Sequence, residues 1–130
     1  MSDRVTFVIP SRLWLTSNRP AQNMAARARL VRELHELAHF MAIFHKLDPT
    51  TGPVAAHWTI RYPKGVRLDK GEASNSQPTT KALLDGLVPR WLPDDGPAHV
   101  VAETFRRGPN LDRASDHEIE LVLTDQRVTF

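Results

Sequence analysis

Val54-Ala55-Ala56-His57-Trp58-Thr59-Ile60-Arg61-Tyr62 alternates Ala56, Trp58, Ile60 and Tyr62 with His57, Thr59 and Arg61. A period of two sends successive side chains to opposite faces of an extended chain, so this stretch reads as a strand with one covered face. The flanking sequence decides what covers it. Upstream, Ala21 to Leu47 reads as one long helix, because Leu30, Leu34, Leu37, Met41 and Phe44 step by four, three, four and three and draw a single apolar stripe. Asn18 suits its cap and Pro20 its first turn, and Asp48-Pro49-Thr50-Thr51-Gly52-Pro53 stops it. Earlier still, Val5 to Ile9 is a short apolar run ended by Pro10, which reads as a buried strand, followed by a loop carrying Trp14.

Downstream of Tyr62 the chain is polar from Pro63 to Gln77, long enough for a loop to be either disordered or functional. Pro78 then opens a short helix that runs to Leu87, with Ser76 or Gln77 near its cap. Pro89-Arg90-Trp91-Leu92-Pro93-Asp94-Asp95-Gly96-Pro97 excludes regular structure. Val100 to Arg106 and Ile119 to Thr124 alternate again, and the residues between them suffice for a hairpin connection. Strand, long helix, strand, short helix, strand, strand predicts an α+β fold: one domain over 1–130, with a mixed three- to four-stranded sheet covered by one long and one short helix.

The chain has 130 residues, 41% hydrophobic and 25% charged, which suits one core and needs no covalent staple. It has no Cys, which excludes disulfide frameworks, thiolate zinc sites, iron–sulfur clusters and cysteine nucleophiles and fits a reducing, cytoplasmic address. The apolar run before Pro10 is too short for a signal-peptide core or a membrane span. A net charge of +2 is too small to argue for nucleic acid by itself. The cations do cluster, at Arg27, Arg29 and Arg32, at Lys64, Arg67 and Lys70, and at Arg106 and Arg107. Such clusters suit phosphate contacts and solvated faces alike.

Two constellations carry chemistry. The first, His35-Glu36-Leu37-Ala38-His39, matches H-E-x-x-H on a helix, the pattern with which zinc hydrolases hold one zinc and a general base. His45 stands where a third ligand could follow, but it lies about 80° from His35 around the helix and no Gly turns the chain between them. The two His also sit roughly 100° to 180° away from the apolar stripe, which predicts an exposed pair on the polar face. The second constellation joins Glu72, Ser74 and Asn75 on the long loop, Lys81 on the short helix, and Asp94 and Asp95 in the turn after it. Carboxylates flanking a short helix suit magnesium, which takes one or two protein carboxylates together with waters and phosphate oxygens. A nearby lysine can steady phosphate charge. Asp85 reads as an exposed or capping residue.

Pro78-Thr79-Thr80-Lys81-Ala82-Leu83-Leu84-Asp85-Gly86-Leu87, followed by Trp91-Leu92-Pro93-Asp94-Asp95, resembles the RusA-like Holliday junction resolvases of phages and prophages. Phe105-Arg106-Arg107-Gly108 and the Pro10 to Asn18 opening are similar to that family as well. The resemblance implies a homodimer that binds four-way DNA junctions and nicks opposed strands with Mg²⁺, or Mn²⁺, in the host cytoplasm if the chain is phage-encoded. It implies Glu72, Asp94 and Asp95 as metal ligands and Glu72, Asp95 and Lys81 as the catalytic set. Lys64, Arg67, Lys70, Asn75, Arg106 and Arg107 would then contact DNA. The family's first metal loop reads D-x-D-N, whereas this chain has Glu72-Ala73-Ser74-Asn75. A neutral hydroxyl at Ser74 removes one anion, so reduced or lost cleavage is expected. A non-catalytic relative that binds branched DNA or a host protein is the first alternative, and an H-E-x-x-H zinc hydrolase the second.

Overall fold

Arg4–Ile9 (β1), Met24–Phe44 (α1), Val54–Arg61 (β2), Gln77–Gly86 (α2), Val100–Arg107 (β3) and His117–Asp125 (β4) follow one another along the chain, with short 3-10 turns at Ser11–Leu13 and Ala73–Ser76. The computed structural model describes residues 3–17, 23–67, 69 and 71–126. The strands form one sheet in the order β1-β4-β2-β3. β4 is antiparallel to both β1 and β2, while β2 and β3 are parallel. The fold is therefore α+β with a mixed four-stranded sheet, as the alternation of elements predicts.

β3 and β4 do not form the hairpin expected from their spacing, because β2 lies between them. The connection instead crosses the end of β2. Gly108 N donates to Ile60 O at 2.8 Å, Leu111 N to Tyr62 O at 2.8 Å and Lys64 N to Arg113 O at 2.7 Å. Backbone groups leaving β2 thus find their partners in this connection rather than in a turn of β3 on β4. The interior place of β2 also explains its burial, which is deeper than a strand with one covered face would show. Ala56, Trp58 and Ile60 reach the core, and Ala55 and Thr59 on the other face are buried too. There His57 Nδ1 meets Thr104 Oγ1 at 2.8 Å and Nε2 meets Thr124 Oγ1 at 3.0 Å, a polar span across three strands.

One face of the sheet carries Phe7, Ile9, Trp58, Ile60, Ile119 and Leu121 into a core shared with Leu34, Leu83, Leu87, Trp91 and Leu92. α1 docks mainly on α2. Its buried line is Leu34, Ala38 and Ala42, one residue per turn, with Leu30, Leu37 and Met41 packed beside it. Phe44, read from the sequence as the end of the stripe, is exposed. The small Ala38 lets α2 approach closely, and Gly86 completes the contact: a methyl there would lie 2.6 Å from the His35 carbonyl oxygen and 2.9 Å from Ala38 Cβ. The helix is capped by Asn23, whose side chain accepts from Ala26 N at 2.8 Å. Asn18 and Pro20 lie outside the described residues. Among the described residues no helix is long and apolar enough to cross a membrane.

Candidate functional site

α2 opens with Pro78 in its first turn and buries Thr79, Thr80, Ala82, Leu83 and Leu84, which leaves Lys81 on the outward face and Asp85 half-buried at its edge. The Thr79 hydroxyl accepts from Leu15 N at 2.9 Å and donates to Leu15 O at 2.7 Å, so the segment after β1 is fastened to the helix start. Beyond α2, Trp91 N and Leu92 N bond to Leu87 O, and both side chains are buried. That anchored turn brings Asp95 back over the helix. Lys81 Nζ stands 3.2 Å from Asp85 Oδ1 and 3.3 Å from Asp95 Oδ2. Asp94 Oδ1 accepts from Asp95 N at 2.8 Å and ties the turn locally.

The two carboxylates meet at the same ammonium and shift in opposite directions. Burial and the Asp95 contact raise the Asp85 pKa, whereas the bond from Asp85, with help from Lys81, lowers that of Asp95. Bonding to Asp85 and Asp95 raises the pKa of Lys81. Lys81 is exposed, so these pairs set geometry more than stability.

The structure corrects two expectations at this point. Asp85 is not a free surface or capping residue but the link between Lys81 and Asp95. His39 is exposed as expected, but His35 is so only in part: it sits at the α1–α2 contact with Nε2 shielded from solvent, 3.9 Å from Asp85 Oδ2 and without a hydrogen-bond partner. Helical angle alone misjudged it, because the buried line runs through Ala38 and Ala42 and turns the His35 side towards α2. His35, Glu36 and His39 line a cavity of about 430 Å³ with Phe40, Ile43, Asp85 and Val88. His45 caps the helix end and lies edge-on to Phe44.

Glu72 and Ser74 belong to a neighbouring cavity of about 420 Å³, together with Asp69, Phe105 and Arg107. A smaller one, about 210 Å³, is lined by Lys81, Gln77, Thr80 and Glu103, and Phe105 borders both. The loop is held at a few points. Gly71 has φ +73° and lies flat on Tyr62, where a methyl would come within 2.6 Å of the ring. Tyr62 Oη donates to Glu72 O at 3.3 Å, and Ser17 N donates to Asn75 O at 3.0 Å. His117 stacks on Trp14 at 3.7 Å between ring centres and meets Tyr62 edge-on, and its burial lowers its pKa to about 4.

The structure thus joins Lys81 to Asp95 directly, and puts Glu72 in the adjoining cavity. Among the described residues no group of three or more His, Asp or Glu side chains could hold a metal ion. Of the candidate DNA contacts, Lys64 and Arg67 are exposed, with Arg67 paired to Asp69 at 2.8 Å, and Lys70 lies outside the described residues. Arg106 and Arg107 leave opposite faces of β3. Arg106 donates to Thr59 Oγ1 at 3.3 Å, whereas Arg107 lies 4.7 Å over the Tyr62 ring and donates to Asn110 Oδ1 at 2.8 Å. Sequence reasoning passed over Asp85, although its spacing of four from Lys81 is the signature of a helical ion pair. It also passed over Glu103, which accepts from Trp58 Nε1 at 2.7 Å, for which no local signal exists. No protein-family model matches the chain, and no curated protein matches it.

Proposed function

We propose that the protein is a RusA-like, Mg²⁺-dependent endonuclease acting on branched DNA in the cytoplasm. The observation that supports this most is the 3.3 Å approach of Lys81 Nζ to Asp95 Oδ2, since it joins the helix lysine and the turn carboxylate of the resemblance across 14 residues of chain. Magnesium keeps several waters and needs as few as one or two protein carboxylates. Asp95, beside Lys81, and its neighbour Asp94 would be the carboxylates of such a minimal set; Glu72 stands in the adjoining cavity, and the three do not gather as one ligand group among the described residues. The ion would supply an acidified water and neutralise charge at the scissile phosphate.

The chain's own side chains do the rest. Lys81, kept protonated by its two carboxylates, is the cation that steadies a phosphate oxygen once DNA displaces one of them. Asp85 fixes where that ammonium stands. Lys64, Arg67 and Arg106 are the exposed cations that would follow a DNA backbone, Arg67 by exchanging its pair with Asp69 for a phosphate, while Arg107 buttresses Tyr62 and the loop behind Glu72. A homodimer would present two such sites to a four-way junction. Ser74 favours a second reading, a protein that holds branched DNA or a host protein without cutting, because its hydroxyl replaces a charged ligand.

One titration of a synthetic four-way junction against linear duplex, with Mg²⁺ or Mn²⁺, separates these readings. Preferential junction binding with slow nicking is expected, Lys81→Met should abolish nicking, and Ser74→Asp should speed it about 10-fold. Binding without nicking in both the natural protein and Ser74→Asp supports the second reading. No preference for the junction overturns the nuclease reading and the branched-DNA form of the second.

A further inference from the structure

The H-E-x-x-H stretch holds a group that the proposed activity leaves unused. The His35 side chain is 40% exposed, yet its Nε2 is shielded from solvent and has no hydrogen-bond partner. A shielded polar atom without a partner is costly and rare in folded proteins, so what stands beside it matters. Its one carboxylate neighbour among the described residues is Asp85, with Oδ2 at 3.9 Å. Gly86 makes that approach possible. A methyl there would lie 2.8 Å from His35 Cα, so α1 comes this close to the end of α2 only over a residue without a side chain. His39, four residues on, is exposed and pairs with no carboxylate among the described residues.

Asp85 is thereby divided between two helices. Oδ1 stands 3.2 Å from Lys81 Nζ on its own helix, and Oδ2 faces His35 on the other. An Asp carboxylate turns readily about its last torsion, so its two oxygens stay where their partners hold them. Lys81 depends on that hold. Its side chain is 68% exposed on a flexible stem, so the ammonium stands where Asp85 and Asp95 place it. At 3.9 Å the His35 contact is too long for a hydrogen bond and acts electrostatically. A ring carrying a proton on Nε2, as the neutral tautomer or the imidazolium, turns positive charge towards Oδ2 and leaves Oδ1 to Lys81.

We infer that His35 is a positioning residue: through the Asp85 carboxylate it sets where the Lys81 ammonium stands in the candidate site. The inference rests on the nuclease reading for what Lys81 then does, and on the α1–α2 contact alone for how Lys81 is held.

Two readouts separate those parts. The first uses the full chain without DNA and follows exchange of the Lys81 ammonium protons with water by heteronuclear NMR. Exchange should quicken about 10-fold in Asp85→Asn and in His35→Phe, and stay near the natural rate in His35→Gln, whose amide nitrogen presents a donor near the place of Nε2. His35→Ala removes the same donor without adding bulk and should behave as His35→Phe does. The second readout is nicking of a synthetic four-way junction with Mg²⁺. His35→Phe should lower kcat about 10-fold with KM unchanged, and His35→Gln should recover most of it. Asp85→Asn should cost as much, and adding His35→Phe to it should cost nothing further, because one acts through the other. Ammonium exchange unchanged in both His35→Phe and His35→Ala overturns the inference whether or not the chain nicks DNA. Losses that add in the double variant, or a His35→Gln protein as slow as His35→Phe, assign His35 to packing and overturn it as well. Exchange that responds as stated in a chain that nicks nothing supports the hold of His35 on Lys81 and overturns the nuclease reading instead.

Discussion

Two neighbouring regions carry the candidate chemistry, and they are held by different means. Lys81, Asp85 and Asp95 stand on α2 and the turn after it, which are pinned by Leu83, Leu84, Leu87, Trp91 and Leu92, all buried. Glu72 stands on a loop pinned by single contacts: Gly71 on Tyr62, the Tyr62 hydroxyl on Glu72 O, and Ser17 on Asn75. Core packing fixes the first region as part of global folding. The second rests on a few local contacts and opens at lower cost. A site spanning both would have one rigid half and one that substrate could adjust.

The difference is strongest at the two glycines that support each half. Gly86→Ala drives a methyl into the His35 backbone, which cannot yield without parting α1 from α2, so a stability loss of about 3 kcal/mol is expected by denaturant unfolding. Gly71→Ala meets the ring of a single side chain, Tyr62, and an unfavourable positive φ, and about 1–2 kcal/mol is expected. Its loss should appear mainly as faster hydrogen exchange around Glu72 with α2 unchanged. Equal exchange in both regions would erase the contrast.

A smaller effect is set by pH. His117 stays neutral in the folded protein down to about pH 4, whereas an unfolded histidine takes its proton near pH 6.5. Between these values only the unfolded chain gains the proton, so stability falls as pH drops from about 6.5 towards 4. For a ring that solvent still partly reaches, the loss is about 1–2 kcal/mol. His117→Phe keeps the stack on Trp14 and should flatten that part of the pH profile. An unchanged slope would assign it to other groups.

Much of this was legible in the sequence. The alternation in Val54–Tyr62, the stepped apolar residues of α1 and the Pro78 start of α2 gave the elements, because each is a local pattern of burial. Lys81 and Asp95 stand out through the resemblance of their stretch to the resolvases, and they are in contact. The β3–β4 hairpin failed because loop length permits a hairpin without requiring one, and β2 competes for the same edge of β4. Phe44 was placed on the buried stripe because periodicity counts hydrophobic residues and not neighbours, and α2 covers only the face with Ala38 and Ala42. Asp85 was passed over because a lone helical acid is usually solvated. Its importance comes from a turn that returns to it.

Local chemistry was enough to determine the kinds of element, their order and the single hydrophobic core, since backbone period and turn residues act over a few positions. Strand order, the face of α1 left uncovered and the meeting of Lys81 with both Asp85 and Asp95 were decided only by the folded chain. Each depends on which distant surfaces compete for the same partner, and that competition is settled by packing across the whole sheet.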